Sequence, residues 1–334
     1  MKNIRPIKKA AAVILKILLI VFLVVTLNRI FMPKYITENE DGRITQEYYP
    51  AARYSDVLFA GSSIVYSAVD PQILWEHNGI SSFVRGNASQ TMWITYYMIE
   101  DALFDHKSDL VCIDTTFIKY DDDFVEEPST RKSLDGMRLF PSKINCAFAS
   151  MGEDEKLADY IVPLFRFHSR WKELTWDDIR YAWYLKPVTM NGYIRDDEIG
   201  PAETEDLTYA GDPEQVISPK NEEYLRKSIE LCQKKGTQVM LFKAPSLSSN
   251  WSDALDAQIK AVADEYGITY INFDRYSRDI GLDYRQDTPD MGSHLNYTGA
   301  VKFSEYFGDY LADNYSLTDQ RGSRYDRYWN KRIR

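Results

Sequence analysis

Two short stretches hold residues that could do chemistry together. Gly61-Ser62-Ser63 closes the apolar run Asp56-Val57-Leu58-Phe59-Ala60, and His294 closes the loop Asp287-Thr288-Pro289-Asp290-Met291-Gly292-Ser293 near the other end of the chain. A serine hydroxyl is a poor nucleophile until a base takes its proton, and a carboxylate can hold that base in the right tautomer. The set therefore points to acyl transfer through a serine. Each half also has an ordinary reading: Gly-Ser-Ser makes turns and helix caps, and a lone histidine is often structural. The elements between them must bring the halves together.

Those elements alternate. The run ending at Gly61 reads as a buried strand, followed by a short helix from Pro71 to His77 that Asn78-Gly79 stops. Ser81 to Val84 is a second strand, ending at Arg85-Gly86-Asn87-Ala88-Ser89-Gln90, and Thr91 to Phe104 is an amphipathic helix. Asp109 to Asp114 is a third strand. The rhythm returns with a helix from Pro219 to Lys235, a strand at 237–242, a helix from Asp253 to Tyr266 and a strand from Ile268 to Phe273. Tyr297 to Asn314 is the last helix, directly after His294. Strands separated by helices predict a parallel sheet, and such sheets hold ligands at the carboxyl ends of their strands.

Charge is divided unevenly. The 334-residue chain carries −10 overall, yet residues 1–35 hold seven basic and no acidic residues, which leaves −17 for the remainder. A nucleic-acid partner is excluded by that sign. Ala10 to Leu27 is almost wholly apolar, near the roughly 18–20 residues that cross a bilayer as a helix. The basic residues before it predict a cytoplasmic amino terminus and an extracytoplasmic bulk. No small-x-small site follows it, so it reads as an uncleaved single-pass anchor in the cell membrane. Cys112, Cys146 and Cys232 have neither metal-ligand nor redox spacing and read as buried thiols; no metal and no cofactor is called for.

The pattern resembles the SGNH/GDSL hydrolase superfamily. Gly61-Ser62-Ser63-Ile64 is similar to its first block, which implies Ser63 as nucleophile. Gly86 is similar to the second-block glycine, which implies that the N–H groups of Ser63 and Gly86 hold an oxyanion. The last block implies His294 as general base and Asp290 as its partner, with Asp287 as the fallback. The phrase His294-Leu295-Asn296-Tyr297-Thr298-Gly299-Ala300 is typical of the superfamily's membrane-anchored relatives, and Pro163-Leu164-Phe165-Arg166-Phe167-His168-Ser169-Arg170-Trp171 resembles a segment of those related to teichoic-acid D-alanylation and exopolysaccharide O-acetylation proteins. Two departures stand out. Asp114-Thr115-Thr116 replaces the third-block asparagine, leaving Asn87 or Thr116 as side-chain donor, and Asp290 is one residue further from the histidine than the usual Asp-x-x-His. The implied fold is a flavodoxin-like three-layer α/β sandwich with a parallel sheet. The implied activity is an esterase on O-acyl groups of a cell-surface polysaccharide or a small ester. An O-acyltransferase with the same residues, working with a membrane acyl-transfer partner, is the alternative, and a non-catalytic surface scaffold is the third reading.

The organisation expected is a basic tail at 1–9, an anchor at 10–30, a linker at 31–54, the α/β domain at 55–313 and a basic tail at 314–334 that reads as a disordered terminus. Within the domain, residues 117–217 break the rhythm and read as an inserted helical cap over the active edge, with helical patterns at Lys156–Phe165 and Trp176–Tyr184. His168, Arg170 and Trp171 in that cap are candidates for an acyl-acceptor site, with Trp176 and Trp183 as further stacking surfaces.

Overall fold

The computed structural model describes residues 4–124, 126–203, 209–247 and 250–331. Residues 1–3 of the basic amino-terminal stretch and 332–334 of the basic tail lie outside these. Helix α1 (Ile4–Phe31) contains a 23-residue stretch, Lys9–Phe31, long and apolar enough to cross a membrane. The segment expected to be a linker is a second helix, α2 (Asp41–Ala51), packed into the domain core. Ile44, Tyr48 and Ala51 recur at helical spacing, and that apolar stripe lies against the sheet, where Tyr48 meets Phe83 edge-on at 5.3 Å.

The domain then runs β1 (Val57–Gly61), α3 (Ser63–Ala68), α4 (Pro71–Asn78), β2 (Ser82–Gly86), α5 (Met92–Asp105) and β3 (Leu110–Asp114). Asp70 caps α4 by accepting from the Gln72 N–H at 2.8 Å, and Gly79 ends it at φ 71°. The insertion contributes α6 (Glu127–Asp135), α7 (Pro141–Ser150), α8 (Leu157–Ile161), α9 (Pro163–Phe167) and α10 (Trp176–Arg180). The chain returns through α11 (Pro219–Lys235), β4 (Gln238–Lys243), α12 (Asp253–Glu265), β5 (Thr269–Asn272), α13 (Ser277–Ile280), α14 (Tyr297–Asn314) and α15 (Asp326–Trp329).

All five strands are parallel, in the order β2-β1-β3-β4-β5. This is the doubly wound order whose crevice falls between β1 and β3, where successive crossovers leave on opposite faces. Strands β1, β2 and β3 are wholly buried because helices cover both faces. On one face Leu58, Val111 and Leu241 pack with Ile99, Ile229 and Ile259; on the other Phe59, Cys112 and Phe242 pack with Val65, Leu74 and Phe307. Cys112, Cys146 and Cys232 are buried free thiols, as expected.

Two further expectations change. The tail is not loose: α15 buries Trp329, which stacks on Trp75 at 5.1 Å and donates its indole N–H to the Tyr54 carbonyl at 3.1 Å. Aromatic spacing at Tyr325, Tyr328 and Trp329 outweighs the tail's basic charge, part of which is spent on pairing Arg321 with Asp319. Nor do the inserted helices cover the active edge. Helices α6, α7 and α8 pack Leu134, Ala147 and Tyr160 onto Trp93 and Met98 of α5, and α9 and α10 meet the end of α1. Apolar residues on α5 that are not needed by the sheet give these helices their partner.

Candidate active site

Ser62 and Ser63 follow the last residue of β1, with Ser62 in extended conformation and Ser63 opening α3. The sharp passage from strand to helix needs a bare backbone: a Cβ on Gly61 would fall 2.7 Å from the Asp114 side chain. Ser62 turns inward and is buried, while Ser63 is half-buried and faces outward. Its N–H belongs to the first turn of a helix, where backbone donors lack helical partners.

His294 arrives from the loop before α14. Its Nε2 is 2.9 Å from Ser63 Oγ, and its Nδ1 is 2.6 Å from Asp290 Oδ2. Burial works against the Asp290 charge, but bonds from the His294 ring and backbone N–H outweigh it and hold the carboxyl below its ordinary value. An ionised carboxylate only accepts hydrogen bonds, so Nδ1 carries the ring proton and Nε2 is free to accept from the Ser63 hydroxyl. The extra residue between Asp290 and His294 is taken up by two consecutive left-handed positions, Met291 at φ 59° and Gly292 at φ 95°. A Cβ at Gly292 would also meet the Leu247 side chain at 2.8 Å. Asp287 serves elsewhere. It accepts from the Asp283 N–H and the Thr298 hydroxyl and pairs with Lys302, which anchors the start of α14.

The remaining candidates divide. Gly86 stands opposite Gly61 in the sheet, and a Cβ there would lie 2.9 Å from the carbonyls of Gly61 and Ser62. Asn87 is fully buried beside it, with Nδ2 3.5 Å from Thr45 Oγ1. The Thr45 hydroxyl gives its proton to the Ser133 carbonyl, so it can only accept from Asn87, which keeps the amide N–H₂ end on that side. Thr116 is spent on Asp114, whose carboxylate takes its hydroxyl at 2.8 Å and its N–H at 3.2 Å. His168 is exposed and bonds the Phe165 carbonyl; Arg170 donates to the Phe31 carbonyl and pairs with Asp178; Trp171 is exposed. All three sit on the turn between α9 and α10, where Arg170 ties that turn to the end of α1, and none of them bonds Ser63, His294 or Asp290 among the described residues.

Sequence reading missed the brace around His294. Thr288 Oγ1 accepts the Gly292 N–H at 2.7 Å, Gly200 bonds the backbone of both Thr288 and Met291, and Asp196 and Glu198 bond Tyr297 and Asn296. Thus residues 196–200 of the insertion hold the loop from outside. Long-range backbone bonds of this kind leave no residue-type signature. Asn296 could have been found: it caps α14 by accepting from the Gly299 N–H at 3.2 Å, a familiar Asn-to-N3 spacing.

No protein-family model matches this chain, and no curated protein matches it.

Proposed function

We propose that this protein is an extracytoplasmic serine esterase of SGNH type, held in the membrane by α1 and acting on O-acyl groups of a cell-surface glycan or related polymer. The observation that carries the reading is the continuous relay Ser63 Oγ–His294 Nε2, His294 Nδ1–Asp290 Oδ2, at 2.9 and 2.6 Å. Ser63 Oγ attacks the ester carbonyl as its proton passes to His294 Nε2. The resulting imidazolium is stabilised by Asp290, and the oxyanion takes hydrogen bonds from the N–H groups of Ser63 and Gly86 and from Asn87 Nδ2. The bond to the leaving alcohol then breaks as His294 returns the proton to that oxygen. Water, deprotonated by His294, attacks the acyl-Ser63, and Ser63 Oγ leaves with the proton. A sugar hydroxyl in place of water makes the same cycle an O-acyl transfer.

The His294 and Asp290 side chains are 30% and 42% exposed, a site open enough for an acyl group carried on a long polymer. The basic residues ahead of the apolar stretch Ala10–Leu27 (Lys2, Arg5, Lys8 and Lys9) favour an inside amino terminus, and under that reading the triad faces outside the cell.

Fluorophosphonate labelling of the detergent-solubilised full chain is the test. The wild type should label at Ser63, and Ser63→Ala should not. An unlabelled wild type would overturn the enzyme reading and leave a scaffold with this fold. Acetyl release measured with and without a saccharide acceptor then separates hydrolysis from transfer.

A further inference from the structure

Helices α9 and α10 and the turn between them clasp the last turns of α1. The Leu164 N–H donates to Asn28 Oδ1 at 2.9 Å, Arg170 donates to the Phe31 carbonyl, and Arg29 donates to the Ala182 carbonyl at 3.3 Å. Trp183 goes further along the helix. Its ring stacks on Phe22 at 5.8 Å with planes 13° apart, and the Arg29 guanidinium lies over it at 4.4 Å. Phe22 is nine residues before the end of α1 at Phe31, about 13 Å back along the axis at ~1.5 Å per residue. If α1 crosses a bilayer, Trp183 reaches the depth of the upper acyl chains.

The same segment leaves large apolar groups uncovered. Trp171, Trp176 and Trp183 are 63%, 72% and 54% exposed, and Phe165, Ile179 and Tyr184 are exposed with them. A water-facing surface rarely gathers so much aromatic area, whereas tryptophan and tyrosine are the residues that prefer the membrane interface. Charge agrees: residues 163–186 hold five basic and three acidic residues within an otherwise strongly acidic chain. Arginine and lysine among interfacial aromatics suit lipid phosphates.

We infer that residues 163–186 are a membrane-seating face whose tryptophans embed in the outer leaflet, so that the α/β domain rests on the bilayer and does not swing on a tether. The inference rests on the membrane-anchored reading and extends it: the triad then works at a fixed height above the lipid, on acyl groups presented close to the membrane.

The remaining tryptophans make the test selective. Trp75, Trp93, Trp251 and Trp329 are at most 2% exposed, and α1 contains none, so three of the seven can meet lipid. The full chain is reconstituted into phosphatidylcholine–phosphatidylglycerol vesicles with ordinary chains or chains brominated near the glycerol end. Bromine should quench the emission of those three, and the loss should vanish in the Trp171→Phe/Trp176→Phe/Trp183→Phe variant. Equal emission from ordinary and brominated vesicles that carry the floated wild type would overturn the seating while leaving the anchor intact. Failure of the wild type to float with the vesicles would overturn the anchor and the seating together. The wild-type comparison alone decides the matter should the triple variant not fold.

Discussion

Asp290 holds His294 twice: Oδ1 accepts the histidine's backbone N–H at 2.8 Å, and Oδ2 faces ring Nδ1 at 2.6 Å. Both oxygens are needed. One fixes where the loop turns and the other fixes how the ring is rotated and which nitrogen bears the proton. That double hold is what lets a four-residue separation do the work expected of a three-residue one.

Replacing Asp290 by Asn should therefore lower kcat by about 10⁴-fold, since an amide presents only one oxygen and its N–H₂ end favours the wrong tautomer. Asp287→Asn should behave differently. It puts an amide among three donors at the start of α14 and should cost about 1–3 kcal/mol of stability, with kcat affected only through lost protein. Ester turnover and urea unfolding measured on both variants check the division. Equal loss of kcat in the two would reject the assignment of Asp290.

Asn87→Ala should reduce kcat about 10²–10³-fold with little change in KM, the signature of a donor used in the transition state. Thr116→Val is the control. Its hydroxyl serves Asp114, so its removal should cost about 1–3 kcal/mol of stability and leave turnover per folded molecule near wild type. The reverse ranking, with Thr116→Val the slower enzyme, would move the oxyanion donor back to the third strand.

Asp114 gives a pH dependence of known sign. Burial raises its carboxyl to about 6, against the bonds from Thr116 and the Ala244 N–H and the nearby Lys243 charge. The native state thus holds a proton that the unfolded chain has already released, and stability falls as pH rises from about 4 to about 6. The fall is on the order of 3 kcal/mol, reached in full above the native value. Asp70, raised to about 6 chiefly by burial, adds in the same direction, whereas Asp290, whose carboxyl is lowered, loses its stabilising charge only as pH drops through its native value. Urea unfolding of wild type and Asp114→Asn at acidic and neutral pH should show the variant gaining on the wild type as pH rises. A difference that stays constant across that interval would exclude Asp114 as the source.

Much of this was legible because local and global preferences agree. Asp70-Pro71 starts α4 and Gly79 stops it; Gly236 stops α11; the five apolar runs become the five strands within a residue or two. The strand end at Gly61 and the loop before α14 were legible in the residues, and within them the resemblance implied Ser63, His294 and Asp290. What stayed hidden depends on tertiary partners. α2 looks polar by composition, with Glu47 and Arg43 on a helix that is nonetheless buried, and Glu47 accepts from Thr189 and from the Val188 N–H of the distant insertion. The place of Arg170 was unreadable for the same reason, since its partner is a backbone carbonyl on α1.

The carboxyl-terminal segment makes the last case. Had it been a loose basic tail, deleting it would change little. Instead Trp329 fills a slot between Trp75 and Tyr54, Tyr325 donates to Asp56 at 3.0 Å, and Gln320 donates to the same carboxylate at 2.7 Å, just ahead of β1. Trp329→Ala should cost about 3–5 kcal/mol, the range for emptying a buried aromatic site. Trp329→Phe keeps the ring but strands the Tyr54 carbonyl, and should cost about 1–3 kcal/mol. Neither should alter turnover per folded molecule, because the contact braces the entry to β1 while Ser63 follows its far end. Urea unfolding together with fluorophosphonate titration of active sites separates the two effects, and a truncation at Asn314 that unfolds at the wild-type urea concentration would show that the tail contributes nothing to the core.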